Sequence, residues 1–462
     1  MFGIYAPGED VSRLTYFGLY ALQHRGQESA GIACGDGKRL LAKRDMGLVS
    51  QVFDEESLLA LRGHLAIGHT RYSTTGSSNL CNVQPVILGG GDDAFALGHN
   101  GNLVNTLSLR DRLVDDGVRF DSTSDSEVIA RLIAASGGAS WTIRIARTLP
   151  KLLGAFSLVM ATPHELFAAR DPLGVRPLCL GRLGGHTHAA CWVVASETCA
   201  LDTIGATFER EVAPGELVRI DASGLSSHRF GMNALTTSRP ALCSFEYIYF
   251  ARPDSVVDER LVYDVRVELG RALASEQPAE ADVVIPVPDS AVPAAVGYAA
   301  ESGIPYGEGL IKNRYIGRTF IAPDQRLRDM GIGLKFNPLP GQLRGKRVVV
   351  IEDSIVRGST SKPIVGLLRK AGAREVHLRI SSPPYRHPCF LGMDTGRREE
   401  LIGARLSVPQ IREHIGADSL GYLSIGGLLR AMGRDKGTTC LACLDGDYPL
   451  PVQLEMDKLA LE

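Results

Sequence analysis

Apolar positions follow two different rhythms along this chain, and the change falls near residue 233. Before it come short runs in which apolar residues cluster or alternate: "HLAIGHTRY", "FALGHNG", "AFSLVMAT", "CWVVASE" and "GELVRID". Alternation of that length predicts β-strands. One stretch differs: "SDSEVIARLIAAS" places Val128, Ile129, Leu132 and Ile133 on one helical face, with Ser124 or Asp125 positioned to cap its start. The first half therefore reads as strand-dominated α/β with stacked sheets. The polar, Pro-containing stretch "NALTTSRPAL" reads as a connector. Beyond it lie two strand–helix–strand units. One runs "ADVVIPV", loop "PDSA", helix "AVPAAVGYAAES", closed by Gly303. The other runs "KRVVVIED", loop "SIVRGST", helix "SKPIVGLLRKA", closed by Gly372, with the strand "EVHLRIS" after it. Apolar strands alternating with helices predict a parallel sheet with right-handed crossovers. Ligands of such sheets bind beyond the carboxyl ends of the strands, where both loops fall.

A length of 462 residues allows two or three domains, and 44% apolar with 22% charged residues suits a substantial core. A net charge of −2 gives no electrostatic case for nucleic acid. No apolar run approaches the roughly twenty residues of a membrane span, and no basic-then-apolar leader opens the chain. Together these point to the cytoplasm. There, nine cysteines are not expected to form a disulfide framework. The Cys440-Leu-Ala-Cys443 spacing is different, since it lets two thiolates converge. With two distant cysteines added, zinc and a redox pair both remain open.

The densest chemistry is "VVVIEDSIVRGST", residues 348–360. Glu352 and Asp353 sit at a strand exit, and a short polar loop leads into a helix. Backbone N–H groups at a helix start can hold a phosphate. Paired carboxylates can grip ribose hydroxyls or Mg²⁺. Acids favourably placed at a capped helix start would give the same pattern. The stretch resembles the signature of the type I phosphoribosyltransferases, which bind phosphoribosyl pyrophosphate (PRPP) with Mg²⁺. That resemblance implies that Glu352 and Asp353 hold the ribose hydroxyls and the metal environment. It implies that Ser354, Ile355, Val356, Arg357, Gly358, Ser359 and Thr360 cradle the 5′-phosphate, and that Asp289 and Ser290 face pyrophosphate and metal. "KNRYIGRTFIAPDQRLRD" adds Lys312, Arg314, Arg318, Arg326 and Arg328. Such a cluster is ordinarily a solvated face. Beside a polyphosphate it could close as a lid and exclude water.

Read in series, "LQHRGQESAG", "GHTRYSTTG", "HNGN", "TSDSE", "EYIYFARPDS", "KNRYIGRTF", "IEDSIVRG" and "HPCF" resemble the glutamine PRPP amidotransferases over nearly the whole chain. The resemblance implies two domains. Residues 1–233 form an N-terminal-nucleophile glutaminase, an αββα sandwich. Residues 234–462 form a type I phosphoribosyltransferase with a C-terminal cluster-binding tail. It further implies an oxyanion hole at Asn100 and Gly101, Arg71 for the glutamine α-carboxylate, Asp125 for its α-ammonium, Thr74 in the same pocket, and Arg25 and Gly26 beside the nucleophile. Ammonia would pass internally to PRPP and yield 5-phosphoribosylamine. Cys243, Cys389, Cys440 and Cys443 match the [4Fe–4S] ligands of the family's iron–sulfur branch. Cys34, Cys81, Cys179, Cys191 and Cys199 match no ligand. Homo-oligomers (dimer or tetramer) and purine-nucleotide inhibition are expected from the family alone.

A glutaminase of this kind needs a terminal thiol, and the chain opens "MFGI". As written, glutamine hydrolysis is expected to be lost and ammonia-dependent synthesis retained. An ammonia-only phosphoribosyltransferase and a nucleotide-binding or oxygen-sensing regulator are the alternative readings. Family members begin Cys-Gly-Val-Phe-Gly-Ile, so Met1 stands where a Val is expected. GTG encodes Val and also starts bacterial genes. The expected account is a start assigned two or more residues late, with Cys-Gly in frame upstream.

Overall fold

The computed structural model describes all residues except Thr74, 185–190, 231–238, 314–334 and 453–460. The expected domain boundary at 233/234 lies outside the described residues, as do Thr74, Arg314, Arg318, Arg326 and Arg328.

The strands of the first half are β1 (Phe2–Tyr5), β2 (Ser29–Gly35), β3 (Leu40–Met46), β4 (Leu65–Arg71), β5 (Val86–Leu88), β6 (Phe95–Leu103), β7 (Gly154–Ala161), β8 (Leu166–Arg170), β9 (Cys179–Leu183), β10 (Cys191–Ala195), β11 (Ala206–Glu211), β12 (Glu216–Asp221) and β13 (Gly224–Arg229). They build a seven-stranded sheet in the order β11-β9-β10-β1-β4-β2-β3 and a six-stranded sheet in the order β13-β12-β8-β7-β6-β5. Tyr5, Ile67, Ala96, Val159, Leu180, Val194 and Val218 fill the space between the sheets. Helix Val11–Ala21 covers the outer face of the first sheet through Val11 and Leu19. Helices Thr106–Asp115, Asp125–Ala135 and Trp141–Thr148 cover the second over Phe95, Phe156 and Leu158. This is the four-layer sandwich that the strand pattern and the resemblance imply. Central β1 pairs antiparallel with both β10 and β4, so the start of the chain lies in mid-sheet.

The second half is built on a parallel sheet in the order Val283–Pro286, Arg347–Glu352, Glu375–Ile380, Ser419–Tyr422. The unbroken run Val348–Ile351 is explained by burial on both faces. Val348 and Val350 enter one apolar cluster with Ile364, Val365 and Leu368. Val349 and Ile351 enter another with Val265, Leu269, Ala294 and Tyr298. Each such side chain contributes about 1.5–3 kcal/mol on leaving water. Helices Val292–Ser302 and Ser361–Lys370 follow the two strand-tip loops as expected. Gly303 closes the first helix in the left-handed conformation (φ 72°). The two halves meet along residues 241–243. Ala241 and Cys243 donate to the carbonyls of Leu173 and Val175 in the first half. Leu242–Cys243 also pairs in parallel with Thr439–Cys440 of the tail. No helix among the described residues is long and apolar enough to cross a membrane.

Candidate active site

One cleft of about 850 Å³ is lined from both halves of the molecule. Met1, Arg25, His69, Arg71, Asn100, Gly101 and Asp125 form one end. Asp289, Ser290, Lys312 and residues 352–361 form the other.

At the first end, β6 carries Asn100 and Gly101, and β4 ends in Arg71. The Asn100 side-chain nitrogen is buried and has no hydrogen-bond partner, so it is a donor available to an oxyanion. Gly101 has φ 149°, and a Cβ there would overlap the Ala155 carbonyl oxygen, so only glycine fits. Gly26 is required for a similar reason: a Cβ would lie 2.6 Å from the Arg71 carbonyl oxygen. Ser124, not Asp125, caps helix Asp125–Ala135, because its hydroxyl accepts from the Glu127 N–H. Asp125 is thereby left to the pocket. Its Oδ2 accepts from the Leu103 N–H at 3.2 Å, and His99 Nδ1 lies 3.5 Å from Oδ1. Burial works to raise the Asp125 carboxyl, but His99 and then the Leu103 N–H and Arg71 outweigh it and keep it ionised. Arg71 is buried with its fork donating to the carbonyls of Thr75, Gly76 and Ser77. Glu28 lies 3.6 Å away. A carboxylate ligand would therefore exchange with part of that loop. The Met1 amine donates to Ser196 Oγ at 3.1 Å and is pushed down to about 5, by burial first and Arg25 second. Among the described residues lining the cleft, none is a cysteine. Cys34 is buried in β2, and burial pushes its thiol up.

At the other end, Glu352 and Asp353 leave the sheet side by side and are buried. Asp353 accepts from Ser290 Oγ at 2.5 Å and Ser354 Oγ at 2.6 Å, while Glu352 accepts from Ser361 Oγ at 2.9 Å. Burial and then the Asp353 charge push Glu352 up to about 8, and burial raises Asp353 as well. Two buried carboxylates side by side, with hydroxyl donors and the Arg266 charge offsetting them only in part, favour a cationic occupant. Exposed Asp289 pairs with Lys312. Arg357 donates to Glu400 at 2.6 Å, which fixes one wall of the 354–360 loop.

The four cysteines singled out by the sequence surround a second, small and enclosed cavity together with Arg176, Met393 and Tyr448. Cys243 and Cys440 face each other in the parallel bridge, and Cys443 lies on helix Ala442–Asp445. Cys389 is on the loop that also carries Gly392, Met393 and Thr395 to the large cleft. Among the described residues, no three His, Cys, Asp or Glu side chains converge as they would around a single ion. Four thiols around one enclosed space are a soft donor set that either zinc or an iron–sulfur cluster could use. Burial pushes the Cys243 thiol up to about 11 and raises Cys440 and Cys443 too. Of the remaining cysteines, Cys81 is exposed and Cys179, Cys191 and Cys199 are buried in the sandwich.

Two acidic residues given no role by the sequence, Glu197 and Glu246, hold a buried network together. Glu197, just beyond β10, pairs with Arg25, and its Oε1 lies 2.6 Å from His24 Nε2. It also accepts from Ser255 Oγ at 2.7 Å and the Arg252 N–H at 2.8 Å. Burial would raise it, but Arg25 and then His24 hold it well below the usual range. Glu246 accepts from Arg25 Nη2 at 2.5 Å and from Arg176 Nη1 at 3.1 Å. "HRG" and "EYIYFARPDS" hint at the two ends of this network, but partners some 170 to 220 positions apart are not visible in local pattern.

A glutamine amidotransferase domain family matches residues 69–203. The chain is similar to the amidophosphoribosyltransferase of Synechococcus elongatus, 52% identical over 100% of this chain and 94% of the relative. The Bacillus subtilis amidophosphoribosyltransferase is 48% identical over 98% of this chain and 94% of its own length. Among solved structures, the B. subtilis glutamine PRPP amidotransferase complexed with ADP and GMP superposes with a TM-score of 0.91 at 47% identity, covering 100% of this chain and 99% of that one.

Proposed function

The chain belongs to the amidophosphoribosyltransferase family, and from that premise we propose how its residues divide the reaction. The reaction is the first step of purine biosynthesis: a pentosyltransferase joined to a glutamine amidotransferase domain makes 5-phosphoribosylamine, pyrophosphate and glutamate from PRPP, glutamine and water.

The observation that carries the division of roles is the single cleft shared by both ends. Glutamine lies at the first end, its α-ammonium on Asp125 and its α-carboxylate on Arg71; Thr74, outside the described residues, is a further candidate for this substrate. Asn100 Nδ2 and the backbone at Gly101 receive the oxyanion of amide attack. Arg25 and Gly26 shape the loop beside the attacking group. PRPP lies at the second end, with residues 354–360 around its 5′-phosphate and Glu352 and Asp353 on its ribose hydroxyls. Asp289 and Ser290 face the pyrophosphate, and Arg318, outside the described residues, is a further candidate for it. Ser290, Glu352 and Asp353 would hold a Mg²⁺ ion, which would supply countercharge for the pyrophosphate. Ammonia crosses the cleft without meeting bulk water, and exclusion of water protects the cation-like anomeric carbon.

A [4Fe–4S] cluster on Cys243, Cys389, Cys440 and Cys443, when bound, supplies a cross-link between the tail and the body. The domain division at 233/234, a cytoplasmic location, homo-oligomeric assembly and inhibition by purine nucleotides complete the reading. The ADP and GMP of the B. subtilis structure support the last of these. On this reading the second end makes phosphoribosylamine from PRPP and ammonia by itself, and the first end supplies the ammonia from glutamine. Following pyrophosphate release from PRPP with each nitrogen source tests this. Turnover with ammonia is expected, and none with either source would overturn the reading.

A further inference from the structure

We propose that Arg176 is a positioning residue shared between the cysteine cavity and the Glu246–Arg25 pair, so that negative charge in the cavity fixes the loop beside the glutamine pocket. The proposal rests on the cluster reading above.

Arg176 is 2% exposed. Its Nη1 lies 3.1 Å from Glu246 Oε1 and 3.8 Å from Cys243 Sγ, and its guanidinium stacks over Phe250 at 5.0 Å. Its Nε and Nη2 are buried and without hydrogen-bond partners among the described residues. A buried guanidinium with orphaned donors is costly unless an acceptor completes it. Arg176 and Met393 are the described residues that line both the large cleft and the cysteine cavity. Arg176 also carries the only charge among the cavity's described lining apart from the thiols themselves. A cluster held by four thiolates is anionic, and a buried anion needs a fixed countercharge. The orphaned donors of Arg176 meet that need.

Glu246 is fully buried, and it is the acceptor that Arg176 shares with Arg25. Arg25 precedes Gly26, which presses against the end of β4 at Arg71. Charge in the cavity draws the Arg176 fork towards the thiolates and sets the position of Glu246, and with it Arg25. A second tie runs in the same direction. Asn102 on β6 donates to the Phe390 carbonyl of the cysteine loop at 3.1 Å, and a Cβ at Gly392 would lie 3.2 Å from the Gly101 carbonyl carbon.

The test compares wild type, Arg176→Gln and Arg176→Lys, each reconstituted with iron and sulfide and each also stripped of iron. Two quantities are read: the cluster midpoint potential, and hydrogen exchange of residues 22–28. In wild type, iron loading is expected to slow exchange in that loop about tenfold. In R176Q, loading leaves that exchange unchanged, and the midpoint potential falls because a positive charge beside the cluster is gone. R176K keeps the charge and restores the potential. Equal loading-dependent protection in wild type and R176Q would overturn the proposal, as would equal potentials. Wild type that takes up no iron would overturn the cluster reading along with it.

Discussion

Gly101 occupies a position where a single methyl group is too large. With the Ala155 carbonyl already where a Cβ would stand, Gly101→Ala must shift β6 and displace the Asn100 donor beside it. A loss of about 2–4 kcal/mol is expected, read as a lowered midpoint in urea unfolding. Asp125→Asn removes the ionised group proposed for the glutamine ammonium while keeping the shape of the side chain. Glutamine affinity is expected to fall roughly 10- to 100-fold by calorimetry, and an unchanged affinity would remove Asp125 from the pocket. Glu197 predicts a pH dependence. Its carboxyl is held below its ordinary value of 4.5 in the folded state, so the unfolded chain binds the proton more readily. Its stabilising contribution is complete above about pH 4.5 and is lost as the pH falls further. Glu197→Gln lacks that contribution at every pH, so the stability gap between wild type and E197Q should narrow on acidification below pH 4.5. A gap that stays constant with pH would refute the assignment.

At the level of elements, what was legible in sequence depended on how local the cause was. "VVVIEDSIVRGST" was legible because burial on both faces of a strand and the start of a helix are written within thirteen neighbouring residues. The helix at 125–135 was legible from its period, although its cap was decided only by the structure, in favour of Ser124. Strand Ser419–Tyr422 was not legible, since four residues with a mixed pattern carry no periodic signal and gain their identity by pairing with Glu375–Ile380. Arg176 and Glu197 were hidden because their partners are distant in the chain, and Glu246, though inside a quoted stretch, showed no partner there. The strand–loop junction makes its own prediction. Ile351 is fully buried directly before Glu352 and Asp353. Ile351→Ala is expected to cost about 2–5 kcal/mol and to raise the KM for PRPP, because the cavity loosens the carboxylates that follow. Loss of stability with an unchanged KM would show that the loop holds its shape without the strand.

For the whole molecule, the junction of the two halves coincides with the cysteine cavity. Residues 241–243 bond to the loop at 173–175 on one side and to Thr439–Cys440 on the other, and Cys243 and Cys440 both open into the cavity. A cluster there would tie the tail, the second half and the edge of the first half together. Removing it by an iron chelator or by air is expected to lower the melting temperature by several degrees. Identical melting of loaded and stripped protein would confine the cluster to some other role. The shared cleft is the other property of the whole chain, since neither half alone encloses both the Asn100 donor and the Asp353 carboxylate.

The account stands most directly on synthesis of phosphoribosylamine from PRPP and ammonia, compared between the wild-type chain and Asp353→Asn. Saturable, Mg²⁺-dependent turnover is predicted for wild type, with a loss of roughly 100-fold or more in a folded D353N. Wild-type and D353N rates that agree, or a wild type that releases no pyrophosphate from PRPP, would contradict it.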